Sequence, residues 1–274
     1  GSSAADCEPI PDIQIDVCRI AGSVNVENYD ATLNEDESAT VSADGLSAVF
    51  WEPPGDISYC VNPLDSLQTG ECWSGTNDEM VAQFPPSAFP GIPASARSAG
   101  VWLEVSSERN SYRMERSLEG VLPYYVWESN TVEDGEVISE RPDFNQGDLI
   151  SVSAAGDYND YFGPWTAEAT AIIPNQALFS NNSLTVNGGN LLVDYRNDAS
   201  EDVFFSARVG EEQVLCRFDN TGTLNVPASA LSGLPAGFGG AAIFNLSLEA
   251  SSGPDGLPIY TQVFSGESVS LTVE

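Results

Sequence analysis

"SLTVNGGNLLVDYR", residues 183–196, decides the fold, because its outline occurs a second time in the chain. In "SATVSADGLSAVFW", residues 38–51, Ser38, Thr40, Val41, Leu46 and Phe50 stand where the later copy has Ser183, Thr185, Val186, Leu191 and Tyr195. Each copy reads as a strand, a Gly-containing turn and a second strand. The correspondence continues on both sides. "GDISYC" (55–60) matches "EDVFFS" (201–206), and "PSAFPGIPA" (86–94) matches "ASALSGLPA" (228–236). "VWLEV" (101–105) then matches "FNLSL" (244–248), and "GDLISVSA" (147–154) matches "GESVSLTV" (266–273). An offset that drifts so slowly marks a tandem duplication.

The period within each copy is two. Val203, Phe205, Ala207 and Val209 share one face of a strand, as do Val214, Cys216 and Phe218, Phe244, Leu246 and Leu248, and Val269, Leu271 and Val273. Gly, Pro, Asn and Asp separate these runs, as turns require. Helix is confined to single turns at "PSAF" and "ASAL". Seven strands in about 110 residues predict an immunoglobulin-like antiparallel β-sandwich. The expected fold class is therefore all-β, as two tandem immunoglobulin-like domains. The expected divisions are an N-terminal segment (1–22), module one with a long insertion (23–155), a linker (156–165) and module two (166–274).

Composition limits the chemistry. The 274 residues carry 41 acidic and 9 basic side chains, a net charge of −32, and no His. Every basic residue is Arg. Such a charge repels phosphate backbones, so nucleic acid is not an expected partner. Without His or Lys there is no Ser-His-Asp triad, no His-bound zinc, no Schiff base and no P-loop lysine. Paired-carboxylate glycosidase chemistry survives this filter, but no carboxylate pair stands out among 41 acids, and the expectation is that the chain is not an enzyme. Oxygen-ligated hard cations also survive it.

The five cysteines are Cys7, Cys18, Cys60, Cys72 and Cys216. Their spacing fits no zinc pattern and is read as two disulfides, Cys7–Cys18 and Cys60–Cys72. Cys216 is then expected to be a buried, inert thiol beside Val214 and Phe218. No run of about 18 apolar residues could span a membrane as a helix. The chain opens "GSSAADCEP" without Met, which reads as a cloning remnant or as the start of a mature secreted chain. A short Gly/Ser start also resembles the tether of a lipoprotein, so a lipid anchor upstream is an expectation.

Within residues 191–237, "LLVDYRNDASEDVFFSARVGEEQVLCRFDNTGTLNVPASALSGLPAG" has a strand with a central aromatic, an acidic turn, a hairpin and a Pro-Ala-Leu-Leu-Pro run. The residues that carry the pattern are Cys216, Asp219, Gly222, Pro227, Ala228, Leu231, Leu234 and Pro235. This resembles exported lipoproteins of myxobacteria and related bacteria. "FNQGDLISVSAAGDYNDYFGPW" resembles the stretch that precedes such a module, ending in a Gly-Asp turn and an aromatic. The resemblance implies a fold and a location outside the cytoplasm, secreted or on the cell surface, and implies no catalytic residue.

Three features are candidate sites. Asp157, Asn159 and Asp160, followed by Pro164, have the D-x-N-D spacing of calcium-binding linkers in cadherins, so calcium is a candidate cofactor. The competing reading is an ordinary Gly-Asp turn. Tyr124, Tyr125 and Trp127, with Trp102 on a neighbouring strand, form an aromatic set for stacking on a sugar. Packing across the sheet is the plainer account. In a strand Tyr125 and Trp127 face one side and Tyr124 the other. Arg109, Arg113 and Arg116 are expected to pair with Glu108, Glu115 and Glu119 at the surface. The functional expectation is a secreted or cell-surface protein of adhesion, binding or surface structure. The alternatives are a carbohydrate-binding protein that uses the module-one aromatics and a subunit of an extracellular assembly. Its partners would be an extracellular protein, a glycan or copies of itself.

Overall fold

The structure, a computed structural model, describes residues 22–31, 45–51, 67–76, 96–117, 124–127, 129–133, 136–140, 142–157, 162–198, 202–254, 256 and 258–274. The first repeat supplies β1 (Gly22–Ala31), β2 (Gly45–Trp51), β3 (Cys72–Thr76), β4 (Ala96–Arg97), β5 (Trp102–Ser106) and β6 (Ser111–Ser117). The chain continues with β7 (Tyr124–Trp127), β8 (Ser129–Glu133), β9 (Glu136–Glu140), β10 (Leu149–Ala154) and β11 (Trp165–Ile172). Then follow β12 (Leu178–Phe179), β13 (Ser183–Val186), β14 (Leu191–Arg196), β15 (Val203–Val209), β16 (Glu212–Phe218) and β17 (Thr223–Val226). A helical turn, α1 (Ala228–Leu231), leads to two long strands, β18 (Gly237–Ser252) and β19 (Pro258–Val273). The all-β expectation holds.

Strands of the two repeats join in one sheet, in which β3 alone of the first-repeat strands lies among those of the second. Fourteen strands share this sheet, ordered β11-β10-β5-β6-β7-β2-β1-β19-β18-β15-β16-β3, with β4 beside β2 and β13 beside β19. A three-stranded sheet, β12-β14-β17, and the hairpin β8-β9 stand apart from it.

Two main cores result. The first lies on one face of the large sheet and holds Val24, Leu46, Phe50, Leu103, Val105, Met114, Tyr125, Ile150 and Val152. Phe50 sits at its centre, edge-on to Tyr125, Phe162 and Trp165. The sheet curls around this core, since Trp165 of β11 donates its indole N–H to the Ser252 carbonyl at the end of β18, 2.8 Å away. The second core lies between the two sheets. Leu191, Val193 and Tyr195 of β14 and Leu224 and Val226 of β17 face Phe205, Val214, Ile243, Val269 and Leu271 of the large sheet.

The repeat is visible in these cores. Leu46 and Phe50 are buried in the first and their counterparts Leu191 and Tyr195 in the second. Ile150 and Val152 correspond in the same way to Val269 and Leu271. The strand partners differ, however. β2 lies inside the large sheet between β1 and β7, whereas β14 belongs to the three-stranded sheet.

The hairpin β18–β19 joins the cores. Along the inward face of β19, Val269 and Leu271 enter the second core, and Ile259 and Val263 enter the first. Between them the same face carries Ser265 and Glu267, with Asn245 of β18 opposite Ser265. Asn245 is 1% exposed. It exchanges amide hydrogen bonds with Asn197 (2.8 and 2.9 Å) and donates to the Asn175 carbonyl (2.6 Å). The Glu267 carboxylate accepts from the Phe179 N–H at 2.6 Å. A buried polar belt with its partners supplied separates the two apolar stripes.

The expected divisions do not coincide with the two cores. Phe162 and Trp165, within the stretch 156–165 expected as a linker, belong to the first core. The chain crosses between cores at residues 174–176, because Ile173 lies in the first and Ala177 in the second. β3, from the expected module one, extends the sheet of the second core, while Ile259 and Val263, from the expected module two, complete the first.

The cysteine pairing is also corrected. Cys72 is bonded to Cys216 across 144 residues, so it is not the partner of Cys60, and Cys216 is not a free thiol. The two stand directly opposite on β3 and β16, with Cα atoms 4.1 Å apart, a spacing at which antiparallel side chains meet. Reading the pair from short spacing missed it because β3 crosses to the other core. Cys7, Cys18 and Cys60 lie outside the described residues.

Candidate functional site

The turn at 156–164 comes first. Gly156 has φ +81°, and a Cβ there would lie 2.5 Å from the Pro164 nitrogen. Gly100 has φ +115°, and its Cβ would meet the Gly156 carbonyl at 2.7 Å. Glycine is needed at both places, because two stretches of backbone pass at contact distance in a conformation that side chains oppose. Asp157 and Phe162 then exchange main-chain hydrogen bonds, closing a small antiparallel bridge.

The Asp157 carboxylate is held by an arginine. Arg116 Nη1 lies 3.2 Å from Asp157 Oδ2 and 2.8 Å from the Ser98 hydroxyl oxygen. Both charged side chains are largely buried, so the pair is better shielded than a surface bridge. The Arg97 guanidinium lies 5.6 Å from the Phe162 ring centre. Below this, Tyr125 donates its hydroxyl hydrogen to the Gly100 carbonyl at 2.7 Å. Burial raises the Tyr125 pKa above its ordinary value. Together these groups latch the 98–100 and 156–157 segments over one end of the first core. Asn159 and Asp160 of the expected calcium set lie outside the described residues.

The aromatic set divides. Tyr125 is fully buried beside Phe50 and is a core residue, not a ligand platform. The physical reason is its register: it lies opposite Ala48 of β2 and Arg116 of β6, on the inward face. Trp102 points the other way, and the Arg113 guanidinium covers its ring at 4.3 Å. Trp127 follows the inward alternation of Tyr125 but sits at the rim, half-buried, edge-on to Tyr112 at 5.1 Å. Tyr112 also packs edge-on against Phe144 at 5.0 Å. The side chain of Tyr124 lies outside the described residues. Tyr112 and Phe144 complete the rim and were not among the sequence candidates; the alternation of "SYRMERS" marks Tyr112 as inward-facing.

Among the described residues the three arginines meet partners other than Glu108 and Glu115, and Glu119 lies outside those residues. Arg109 approaches Asp148 at 4.0 Å, Arg113 stacks on Trp102 and Arg116 binds Asp157.

A further polar centre was not foreseen. Arg217, next to the disulfide, donates to Asp202 Oδ2 at 2.7 Å and to the Leu67 carbonyl at 3.2 Å. Thr69 donates to the same Asp202 oxygen at 2.7 Å. Main-chain bonds from Gly70 N–H to the Arg217 carbonyl and from Arg217 N–H to the Glu71 carbonyl continue the β3–β16 ladder. The segment 67–76 is thereby fastened to the second core, and its Leu67 and Trp73 pack with Phe204, Leu215, Phe244 and Phe264 on the outer face of the sheet.

Among the described residues no group of three metal-ligating side chains comes together. Nor, among the described residues, is any helix long and apolar enough to cross a membrane.

No protein-family model matches the chain, and no curated protein matches it. Among solved structures it is similar to a Ca2+-stabilized adhesin with which an Antarctic bacterium reaches out and binds ice. The identity is 11% and the TM-score 0.21, over 93% of this chain and 49% of that one. The chain thus spans about half the length of that structure, and at such a TM-score the likeness carries no argument.

Proposed function

We propose that this chain is a non-enzymatic binding or structural module of the bacterial cell surface or exterior, working in adhesion or surface architecture. The observation that carries this reading is the Cys72–Cys216 disulfide, which ties residues of both repeats into the second core. Disulfides of this kind persist in oxidising compartments. A net charge of −32 without Lys or His supports the same reading, favouring solubility and removing the chemistries that need His or Lys. The second core supports an immunoglobulin-like assignment: β13 runs parallel to β19, and β12-β14-β17 faces the large sheet. A lipid anchor upstream fits the lipoprotein-like resemblance.

The test is thiol state and location in the producing cell. Rapid alkylation and mass spectrometry should find Cys72 and Cys216 linked, and protease added to intact cells should reach the protein. Reduced cysteines in a protected cytoplasmic fraction would sink the proposal.

A second reading, glycan binding, is supported by the half-buried Trp127–Tyr112 pair at the rim of the first core. On a glycan array Trp127→Ala should abolish any signal of the native chain; a signal that survives places the ligand elsewhere. For the 156–164 turn we favour the structural reading over calcium, because Asp157 already directs an oxygen to Arg116.

A further inference from the structure

We propose that the molecule is built to bear tension along the chain, through a shear clamp of β1 against β19 and a covalent stop at Cys72–Cys216. This deepens the proposed surface role, since a protein that links a cell to something else is pulled from its two ends.

The clamp follows from strand direction. β1 is the first described strand and β19 the last, and they are parallel neighbours paired from Gly22↔Ile259 to Ala31↔Ser268. A force entering before Gly22 pulls β1 backwards along its own axis. A force leaving after Val273 pulls β19 forwards. Parallel neighbours loaded in this way slide past each other, so the hydrogen bonds of the ladder share the load and must fail together. An antiparallel hairpin pulled at its open end instead loses its bonds one at a time.

Both strands are held on their second edges as well. β1 also pairs with β2 from Gly22↔Phe50 to Glu27↔Gly45. β19 pairs with β18 along all of Pro258–Val273, and its last residues, Ser270–Val273, pair with β13, again in parallel. Neither strand is an edge that could peel away. Side chains add to this, because Val24 and Val26 of β1 lie in the same core as Ile259 and Val263 of β19. On the outer face Gln262 donates to the Ser23 hydroxyl at 3.0 Å.

The disulfide sets what happens after the clamp yields. Unravelling from the N-terminal side reaches Cys72 and then stops, because the load passes through the Cys72–Cys216 bond to β16. The 144 residues of sequence separation that it bridges cannot be drawn out. At 3.3–3.6 Å per extended residue this withholds about 500 Å of chain.

The experiment is single-molecule force spectroscopy on the oxidised chain, pulled in two geometries. In the first, handles sit at the two termini. In the second, the N-terminal handle is kept and the other is attached at Pro254, an exposed residue in the β18–β19 turn, beside the end where Gly22 meets Ile259. The second geometry draws the β1–β19 pair apart bond by bond. The expected result is a rupture force severalfold higher from the termini than from Pro254. Repeating the terminal pull after reduction with a dithiol should lengthen the released chain by about 500 Å. Equal rupture forces in the two geometries would overturn the clamp, and an unchanged length after reduction would overturn the covalent stop. Neither result depends on where the protein resides in the cell, so the mechanical proposal and the surface assignment can fail separately.

Discussion

The two cores use the same pattern of residues and close it in different ways. In the first, Phe50 is 0% exposed among three other aromatic rings, inside a sheet that curls back on itself. In the second, its counterpart Tyr195 lies between two facing sheets, and its hydroxyl reaches the edge, donating to Asn220 Oδ1 and accepting from the Thr221 N–H. The difference teaches that a duplicated strand keeps its buried face but not its neighbours. Burial is set by the strand's own alternation. Neighbours depend on what else has folded beside it, here β1 and β7 for β2, and β12 and β17 for β14.

The largest effect is expected at Phe50. Phe50→Ala removes a fully enclosed ring and should cost about 3–5 kcal/mol in denaturant unfolding. Tyr195→Phe keeps the ring and removes only the two edge hydrogen bonds, for a loss of about 1 kcal/mol. Similar losses from the two substitutions would show that the cores are not distinguished in this way.

Next comes the covalent bond that fastens β3 to the second core. The double variant Cys72→Ser/Cys216→Ser leaves no unpaired thiol and should lose about 2–4 kcal/mol. Followed by near-ultraviolet and far-ultraviolet dichroism, unfolding of the native chain should give coincident transitions, and the variant should show them separating. Coincidence in the variant would mean that the β18–β19 hairpin keeps the two cores coupled even when the second is weakened.

A smaller effect is expected at the latch. Arg116→Met strips the partner from Asp157 and from the Ser98 hydroxyl, and should cost about 1–2 kcal/mol after allowance for partial exposure. Asp157→Asn should cost less, since a neutral amide still accepts a hydrogen bond from Arg116. Millimolar calcium against excess chelator should leave the melting temperature of native and Asp157→Asn protein equally unaffected. A calcium-specific rise lost in the variant would restore the cation reading.

The smallest is a pH effect. Burial raises the Tyr125 pKa in the folded state, so the unfolded chain loses this proton first as pH rises. The contribution of Tyr125 is complete below the ordinary tyrosine value, about 10, and is lost as pH climbs through the raised value. Tyr125→Phe should flatten the alkaline fall in stability in a chemical-denaturation series.

Much of this is legible in the sequence. Alternation groups Val203 with Phe205 and Val269 with Leu271 on one face, the repeat matches Leu46 and Phe50 to Leu191 and Tyr195, and all are buried. The Gly-Asp turn reading of 156–157 anticipated a tight backbone, which Gly156 confirms with its positive φ. The strand period sets Tyr125 and Tyr124 on opposite faces; Tyr125 faces inward, and the side chain of Tyr124 lies outside the described residues. The partner of Asp157 was not legible, although Arg116 had been noted, because the two are 41 residues apart and meet only when β6 and the turn close over the same core. The Cys72–Cys216 bond was hidden for the same reason. A clue lay in the repeat, which sets the two cysteines near equivalent positions, but equivalence by descent says nothing about contact.

From its residues alone the chain was bound to be β, duplicated, acidic and without His or Lys, because composition and a two-residue period are local properties that no folding step alters. Only the assembled sheet decided that β3 would cross to the second core, that β19 would serve both cores and that the first and last described strands would lie in parallel. Every strand offers the same row of N–H and C=O groups to a neighbour, so the choice among neighbours rests on which apolar faces can be enclosed together. That is a property of the whole chain rather than of any stretch within it.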